Sequence, residues 1–387
     1  MSTNLRSGII GTGFMGSVHA HAIRASGGVV SVVAGRSRDS AHAAARRLGA
    51  GSAAESAEEL IASDEVDVVH ICTPNATHVD LARKAIAAGK AVICEKPLAT
   101  TLPDAIELSE LADRAGTVTA VPFVYRFYPA VREARARLAA GEAGRLWLLH
   151  GSYLQDWLAG ADTNNWRVDP GQGGSSRAFG DIGVHWCDLM EFTTGHRITR
   201  LVAKTARAFE HREGSGGLSA VGTEDGATVL FETDLGATGS LVVSQVTPGR
   251  KNRLWFSLDG TEASFSFNQE QPDTLWVGGT RSSSLVHSGA DTLSTEAGKR
   301  YARLPAGHPQ GYQDSFNAFI ADVYSAVEGR TPDGLPTFGD GLRAARITDA
   351  VLASASRGGW VDVPGGDPNT PTVTTGSFSS SLERQEQ

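Results

Sequence analysis

Read for apolar and polar positions, the first 123 residues alternate two textures. Continuous apolar runs, Gly8–Ile10, Val29–Gly35, Val66–Cys72, Ala91–Glu95 and Val118–Phe123, are separated by Ala- and Leu-rich stretches such as His78–Gly89 and Leu102–Gly116. Continuous runs suit strands buried on both faces, and the stretches between them have the periodicity of covering helices. The pattern predicts a doubly wound parallel sheet over residues 1–123.

Beyond a helical stretch near Ala130–Ala140 the texture changes. Strand-like segments follow one another closely: Arg145–Leu154, Ile198–Phe209, Gly226–Leu235, Gly239–Thr247, Arg253–Gly260 and Glu262–Asn268. Turns such as "DLGA" and "LDGTE" join neighbours at hairpin distance, so this sheet is expected to be large and mostly antiparallel. Helical patterns at Tyr312–Val327 and Leu342–Ala355 are expected to pack against it. The reading is an α/β chain with a second domain over 124–363. A Gly-, Pro-, Ser- and Thr-rich tail, 364–387, is expected to be disordered.

One segment breaks its own pattern. In "AFGDIGVHWCDLMEF" (178–192), Phe179, Ile182, Trp186, Leu189 and Met190 recur at helical spacing, yet Asp181, His185 and Asp188 interrupt them. Buried polar groups cost free energy unless paired, so these three need a reason. Asp181 and His185, four apart, are expected on one helical face. Asp188 reads as a structural partner of backbone or of an arginine.

Composition narrows the classes. At 387 residues the chain exceeds one average core, and a net charge of −8 opposes a nucleic-acid or anionic-membrane footprint. Cys72, Cys94 and Cys187 are odd in number and scattered in apolar runs, which suits reduced thiols in a cytoplasm. No apolar run has membrane-spanning length, and no Cys/His group has metal-ligand spacing.

The candidate chemistry begins at "GTGFMG". Gly11, Gly13 and Gly16, with Phe14 and Met15 between them, follow the first strand and open the first helix. That is the setting of a dinucleotide fingerprint: a tight turn, close backbone approach to a pyrophosphate, and a helix N-terminus facing it. At the end of the next strand Arg36, Ser37 and Arg38 stand where an acidic residue would select NAD. A guanidinium and hydroxyl suit a 2′-phosphate, so NADP is favoured over NAD, while Asp39 keeps NAD open. The strand Ala91–Glu95 then leads into Glu95-Lys96-Pro97. Strand ends in such sheets face the ligand, so Lys96 is a candidate to stabilise charge on a reacting oxygen.

Together the glycine fingerprint, "EKP" and "DIGVHWCD" resemble the Gfo/Idh/MocA family, the glucose–fructose oxidoreductase and inositol dehydrogenase group, over roughly Leu5–Val363. The resemblance implies a Rossmann domain, a second α/β domain whose open sheet makes homodimers or homotetramers, and an active site between them. It implies Lys96, Asp181 and His185 as the catalytic set, a cis Lys96–Pro97 bond, no metal, and hydride exchange between NAD(P) and a sugar or polyol carbon. A nicotinamide-dependent glycoside hydrolase without net cofactor turnover would need much the same cleft and stays open at this stage, as does a non-catalytic nucleotide sensor.

Further candidates follow from position. Thr73, Asn75 and His78 in "CTPNATH" resemble the family's turn beside the nucleotide, where Glu95, Arg126, Trp166 and Arg167 are also assigned. Tyr125, Gln155, Trp157, Asn165, His308 and Tyr312 join Lys96, Asp181 and His185 as candidates for a sugar pocket of apolar faces and hydroxyl partners.

Overall fold

The computed structural model describes residues 4–163, 165–214 and 217–365. The expected tail is outside the described residues from 366 onward. The first sheet has six parallel strands: β1 (Arg6–Ile10), β2 (Val29–Ala34), β3 (Ser52–Ala54), β4 (Val68–Ile71), β5 (Ala91–Cys94) and β6 (Thr119–Ala120). Their order, β3-β2-β1-β4-β5-β6, reverses direction beside β1, and such a crevice collects nucleotides at the strand ends. Ile9, Val33, Val69 and Ile93 are fully buried, as strands covered on both faces require.

The remaining strands are β7 (Leu146–Leu154), β8 (Ile198–Ala206), β9 (His211–Gly214), β10 (Gly217–Ala220), β11 (Gly226–Thr233), β12 (Thr238–Ser244), β13 (Arg253–Gly260), β14 (Ala263–Asn268), β15 (Thr274–Gly279), β16 (Ser283–His287) and β17 (Val361–Asp362). Nine of them form one sheet, β16-β15-β14-β13-β7-β12-β11-β8-β17, antiparallel except where β7 meets β12. β9 and β10 pair as a separate hairpin. One face of the large sheet is closed by the helix Val184–Thr194, with Trp186 and Leu189 in the core and Trp186 Nε1 donating to the carbonyl of Trp255 at 2.9 Å.

The two late helices correct the expected packing. Phe338–Arg357 does lie on β8, but it also packs against the helix Leu102–Ala115 of the first domain. Tyr312–Val327 packs instead against the helix Phe14–Ala25. Phe316, Phe319, Ile320 and Val323 share a core with Ile9, Val18 and Val33. The chain therefore returns to finish the first domain. No helix among the described residues is long and apolar enough to cross a membrane.

Candidate active site

Two adjoining cavities open along the strand ends of the first sheet. One, of about 400 Å³, is lined by Gly11, Gly13, Phe14, Met15, Arg36, Ser40, Thr73, Asn75, Trp166 and Arg167. The other, of about 540 Å³, is lined by Tyr125, Tyr153, Gln155, Trp157, Asn165, Asp181, His185, Asn252 and Tyr312. Phe14, Met15, Glu95, Lys96 and Arg167 border both.

The first cavity has the build of a phosphate site. Gly11 has φ +111°, and a Cβ there would stand 2.5 Å from the carbonyl oxygen of Cys72. A Cβ on Gly16 would stand 2.3 Å from the oxygen of Gly11, so turn and helix are in contact. A Cβ on Gly13 would meet nothing within 4 Å: the backbone there faces open space. Gly13 also caps the helix Phe14–Ala25 without a side-chain hydrogen bond, leaving first-turn N–H groups and the positive end of the dipole for an anion. These features fit a bound dinucleotide.

Lys96 follows β5 and is joined to Pro97 by a cis bond. Its ammonium donates to the Asp181 backbone oxygen at 2.8 Å and to Asp181 Oδ1 at 2.5 Å. Asp181 Oδ2 accepts from Gln245 Nε2 at 2.7 Å, and Arg167 Nε stands 3.5 Å from Oδ1. Burial opposes ionisation of Asp181, but Lys96 and Arg167 outweigh it and hold the carboxyl well below the usual range. His185 is buried against the Tyr125 ring, edge to face at 5.1 Å. Burial, then the Lys96 charge, lowers its pKa well below that of a free imidazole, with Asp181 only partly offsetting this. Its Nδ1 has no hydrogen-bond partner.

The segment carrying these groups is not a regular α-helix. Phe179–Gly183 forms a π-helical turn, and the α-helix begins at Val184. Such wide turns recur at functional sites, and this one presents both the carboxylate and the backbone oxygen of Asp181 to Lys96. Apolar spacing alone does not distinguish the two helix types over five residues.

The second cavity's wall is a hydrogen-bonded series. Trp157 Nε1 donates to Gln155 Oε1 at 2.8 Å, Gln155 Nε2 to Asn252 Oδ1 at 2.7 Å, and Tyr153 OH to the same oxygen at 2.8 Å. The hydroxyls of Tyr153 and Tyr125 meet at 2.5 Å. Sequence reading did not single out Tyr153, Gln245, Asn252 or Ser40. Gln245, fully buried at the end of the apolar run "SLVVSQV", carried a legible signal, since an unpaired amide would be costly there.

Several candidates stand elsewhere. Arg126 is buried beneath the site: its Nε donates to Asp188 Oδ2 at 2.8 Å and its Nη2 to Asp340 Oδ1 at 2.7 Å, so it faces these carboxylates and borders neither cavity. Asp188 is thus the partner of an arginine. His78 is fully buried, its ring nitrogens 2.8 Å from the Pro97 oxygen and 3.0 Å from the Thr73 oxygen, which ties two loops together rather than meeting a ligand. Ser37 caps the helix Arg38–Leu48, and Arg38 pairs with Glu55 at the surface. His308 is exposed and borders neither cavity, because the helix begins only at Tyr312.

Comparison with known proteins agrees with this architecture. Residues 5–123 match the family described as "Oxidoreductase family, NAD-binding Rossmann fold", and residues 131–266 match the GFO/IDH/MocA C-terminal domain. Levoglucosan dehydrogenase of Pseudarthrobacter phenanthrenivorans is 33% identical, over 93% of this chain and 98% of its own. The 1,5-anhydro-D-fructose reductase of Ensifer adhaerens is 30% identical, over 89% and 94%. Among solved structures, levoglucosan dehydrogenase in complex with NADH and levoglucosan superposes with a TM-score of 0.88 at 31% identity, covering 94% of this chain and 100% of that one. An inositol dehydrogenase homolog from Azotobacter vinelandii, complexed with NAD+, gives 0.85 at 27% identity, covering 94% and 98%. The chain belongs to the Gfo/Idh/MocA family of NAD-binding oxidoreductases.

Proposed function

We propose that this protein is a dehydrogenase of cyclic sugars or polyols, with Lys96, Asp181 and His185 as its catalytic residues and NADP preferred to NAD. The observation that carries the reading is the position of Lys96. It borders both cavities and is held by Asp181, in the turn that leads into the helix bearing a neutral imidazole at the wall of the substrate cavity.

Gly11, Gly13, the open helix end, Arg36 and Ser40 would hold the dinucleotide, which supplies the hydride acceptor or donor when bound. The chain's own groups handle the proton and the charge. His185, neutral at physiological pH and lining the substrate cavity, accepts the hydroxyl proton during oxidation and returns it during reduction. The Lys96 ammonium offsets negative charge on the reacting oxygen, and Asp181 fixes the ammonium's position. Tyr125, Gln155, Trp157 and Asn165 offer the ring faces and polar groups that a sugar requires.

Preference for NADP rests on Arg36 and Ser40 lining the nucleotide cavity, where Glu95, at the end shared with the substrate cavity, supplies the carboxylate. Assembly as a homodimer or homotetramer is supported by Leu230, Val242, Trp276 and Leu285, exposed apolar side chains on β11, β12, β15 and β16. The test is a panel of sugars, polyols and glycosides, headed by levoglucosan because a curated relative and a similar solved structure bear its name, offered with NAD and NADP separately. Nucleotide reduction at 340 nm with an oxidised sugar as product is expected. Glycoside cleavage without net nucleotide turnover, or no turnover with any member, defeats the reading.

A further inference from the structure

Behind the cleft a file of polar side chains crosses the interior of the first domain. Glu95 Oε1 lies 3.1 Å from His19 Nε2, and His19 Nδ1 lies 2.9 Å from His70 Nδ1. His70 Nε2 lies 3.1 Å from Ser7 Oγ, which lies 2.7 Å from the Tyr324 hydroxyl. Ser7, His19 and His70 are fully buried. The two ends open on different places. Glu95 borders both active-site cavities, whereas Tyr324 borders a separate surface cavity of about 140 Å³ together with Ser26, Ser325, Glu328 and Arg330. A hydroxyl on β1, an imidazole on β4 and a second imidazole on the helix Phe14–Ala25 packed against β1 are costly where valine would pack, so packing alone does not account for them.

The contacts form one unbranched series with a consistent donor direction. A neutral imidazole has one donor and one acceptor nitrogen, and burial, reinforced by the neighbouring His19, keeps His70 neutral. With Glu95 ionised, Tyr324 donates to Ser7, Ser7 to His70 Nε2, His70 Nδ1 to His19 Nδ1, and His19 Nε2 to Glu95. Other groups facing Glu95 are the Cys72 and Cys94 thiols, His78, Tyr312 and the Lys96 backbone N–H, and Asp67 lies toward Tyr324. Burial pushes both thiols well up, so they stay neutral and outside the series.

We propose that this series is a proton path between the far surface and the active-site cleft, connecting at Glu95. It rests on the hydride-transfer reading, because that reaction releases or consumes one proton for each hydride moved. In the reducing direction each donor passes its hydrogen one place along. A proton enters at the Tyr324 oxygen and another arrives on Glu95, while each imidazole ring and each hydroxyl keeps its proton count, both rings change tautomer, and nothing is oxidised. A protonated Glu95 donating to His19 sets the opposite direction, which carries a proton outward during oxidation. Ser7, His19, His70 and Tyr324 border neither active-site cavity and act through Glu95.

Exchange of the His19 and His70 ring N–H protons with water tests the path, by NMR of the full-length protein carrying ring-15N histidine, without nucleotide or sugar. Tyr324→Phe and Ser7→Ala each remove one hydroxyl from the series. Both are expected to slow exchange about tenfold. A purely structural series predicts the opposite sign, since losing a buried hydrogen bond loosens the fold and speeds opening. Exchange that is unchanged or faster in both variants overturns the proposal. During turnover of a sugar found by the panel, the same variants are expected to raise the solvent deuterium isotope effect on kcat about twofold, a loss of proton-transfer rate with the nucleotide KM unchanged. An unaltered isotope effect in both overturns the proposal equally. A chain that moves no hydride defeats the functional reading alone, and the exchange measurement still decides the path.

Discussion

Lys96 and Asp181 are 85 residues apart in sequence, yet the lysine ammonium touches both the carboxylate and the backbone oxygen of the aspartate. Both side chains are mostly buried, at 13% and 15% exposure, so each depends on the other for compensation of its charge. Replacing Asp181 by Asn retains the shape but leaves the ammonium with a neutral partner. The D181N variant is expected to lose about 100-fold in kcat, the scale of removing one preorganised electrostatic group. Steady-state rates alongside circular dichroism check this, and a folded variant at wild-type rate contradicts it.

The glycine turn gives a pair of substitutions with separable outcomes. Gly11→Ala places a Cβ 2.5 Å from a backbone oxygen at a positive φ, so it is expected to destabilise the fold by about 1–3 kcal/mol. Gly13→Ala meets open space within the protein and is expected to keep the wild-type melting temperature. It does fill the space that a pyrophosphate would approach, so its dinucleotide Kd is expected to rise about tenfold or more. Thermal melts and calorimetric titration separate the two, and a Gly13→Ala protein that binds normally counts against the site.

Arg126 illustrates what the sequence could and could not disclose. The run "FVYRFYP" marks a junction between domains, and a lone arginine there reads as a ligand group. The carboxylates it meets lie 62 and 214 residues away, beyond the reach of local pattern. By contrast, the glycine turn and "EKP" were legible because their chemistry is local, set by a strand end and a helix start. His185 and Asp181 were legible because polar residues stood at otherwise apolar spacing. Tyr153 and Asn252 were not, because one lies on β7 and the other just before β13, where polar positions look like ordinary solvent-facing alternation until β7 and β13 are paired. Helix Tyr312–Val327 was read in its full extent, but its partner was not, since an apolar stripe specifies burial without specifying against what.

The same arginine gives a stability prediction. Arg126→Ala strands Asp188 beneath the site without its bidentate partner and loosens Asp340. Removing one member of a buried ion pair costs about 3–5 kcal/mol. Urea denaturation is expected to show a loss of that order, with dinucleotide affinity of the folded fraction unchanged. A large loss of affinity with stability intact would return Arg126 to the nucleotide site.

Acid should unfold this protein from near neutrality downward. Burial lowers the pKa of His70, His78, His185 and His196 in the folded state. Below about pH 6.5 the unfolded chain therefore binds protons that the folded chain refuses, and stability falls as pH falls. Asp188, whose carboxyl burial pushes up to about 6, acts in the opposite sense, but it is one group against four. Asp181, held low, adds a further loss as pH drops through the ordinary carboxylate range. The unfolding free energy is expected to be lower at pH 5 than at pH 7 by at least about 1.4 kcal/mol, the worth of one unit on one group. Denaturation curves at the two values decide it, and equal stability would contradict neutral buried histidines.

Nucleotide choice turns on Arg36. It is the guanidinium lining the cavity near Ser40, while Arg38 is engaged by Glu55. If Arg36 meets a 2′-phosphate, its removal takes away a charge-assisted contact that NAD never makes. Arg36→Ala is then expected to lower kcat/KM with NADP about 10–100-fold while changing the value with NAD less than about threefold. The asymmetry is the informative quantity, because general damage to the turn would reduce both alike. Equal losses with the two nucleotides would mean that Arg36 only shapes the loop, and preference for NADP would lose its support.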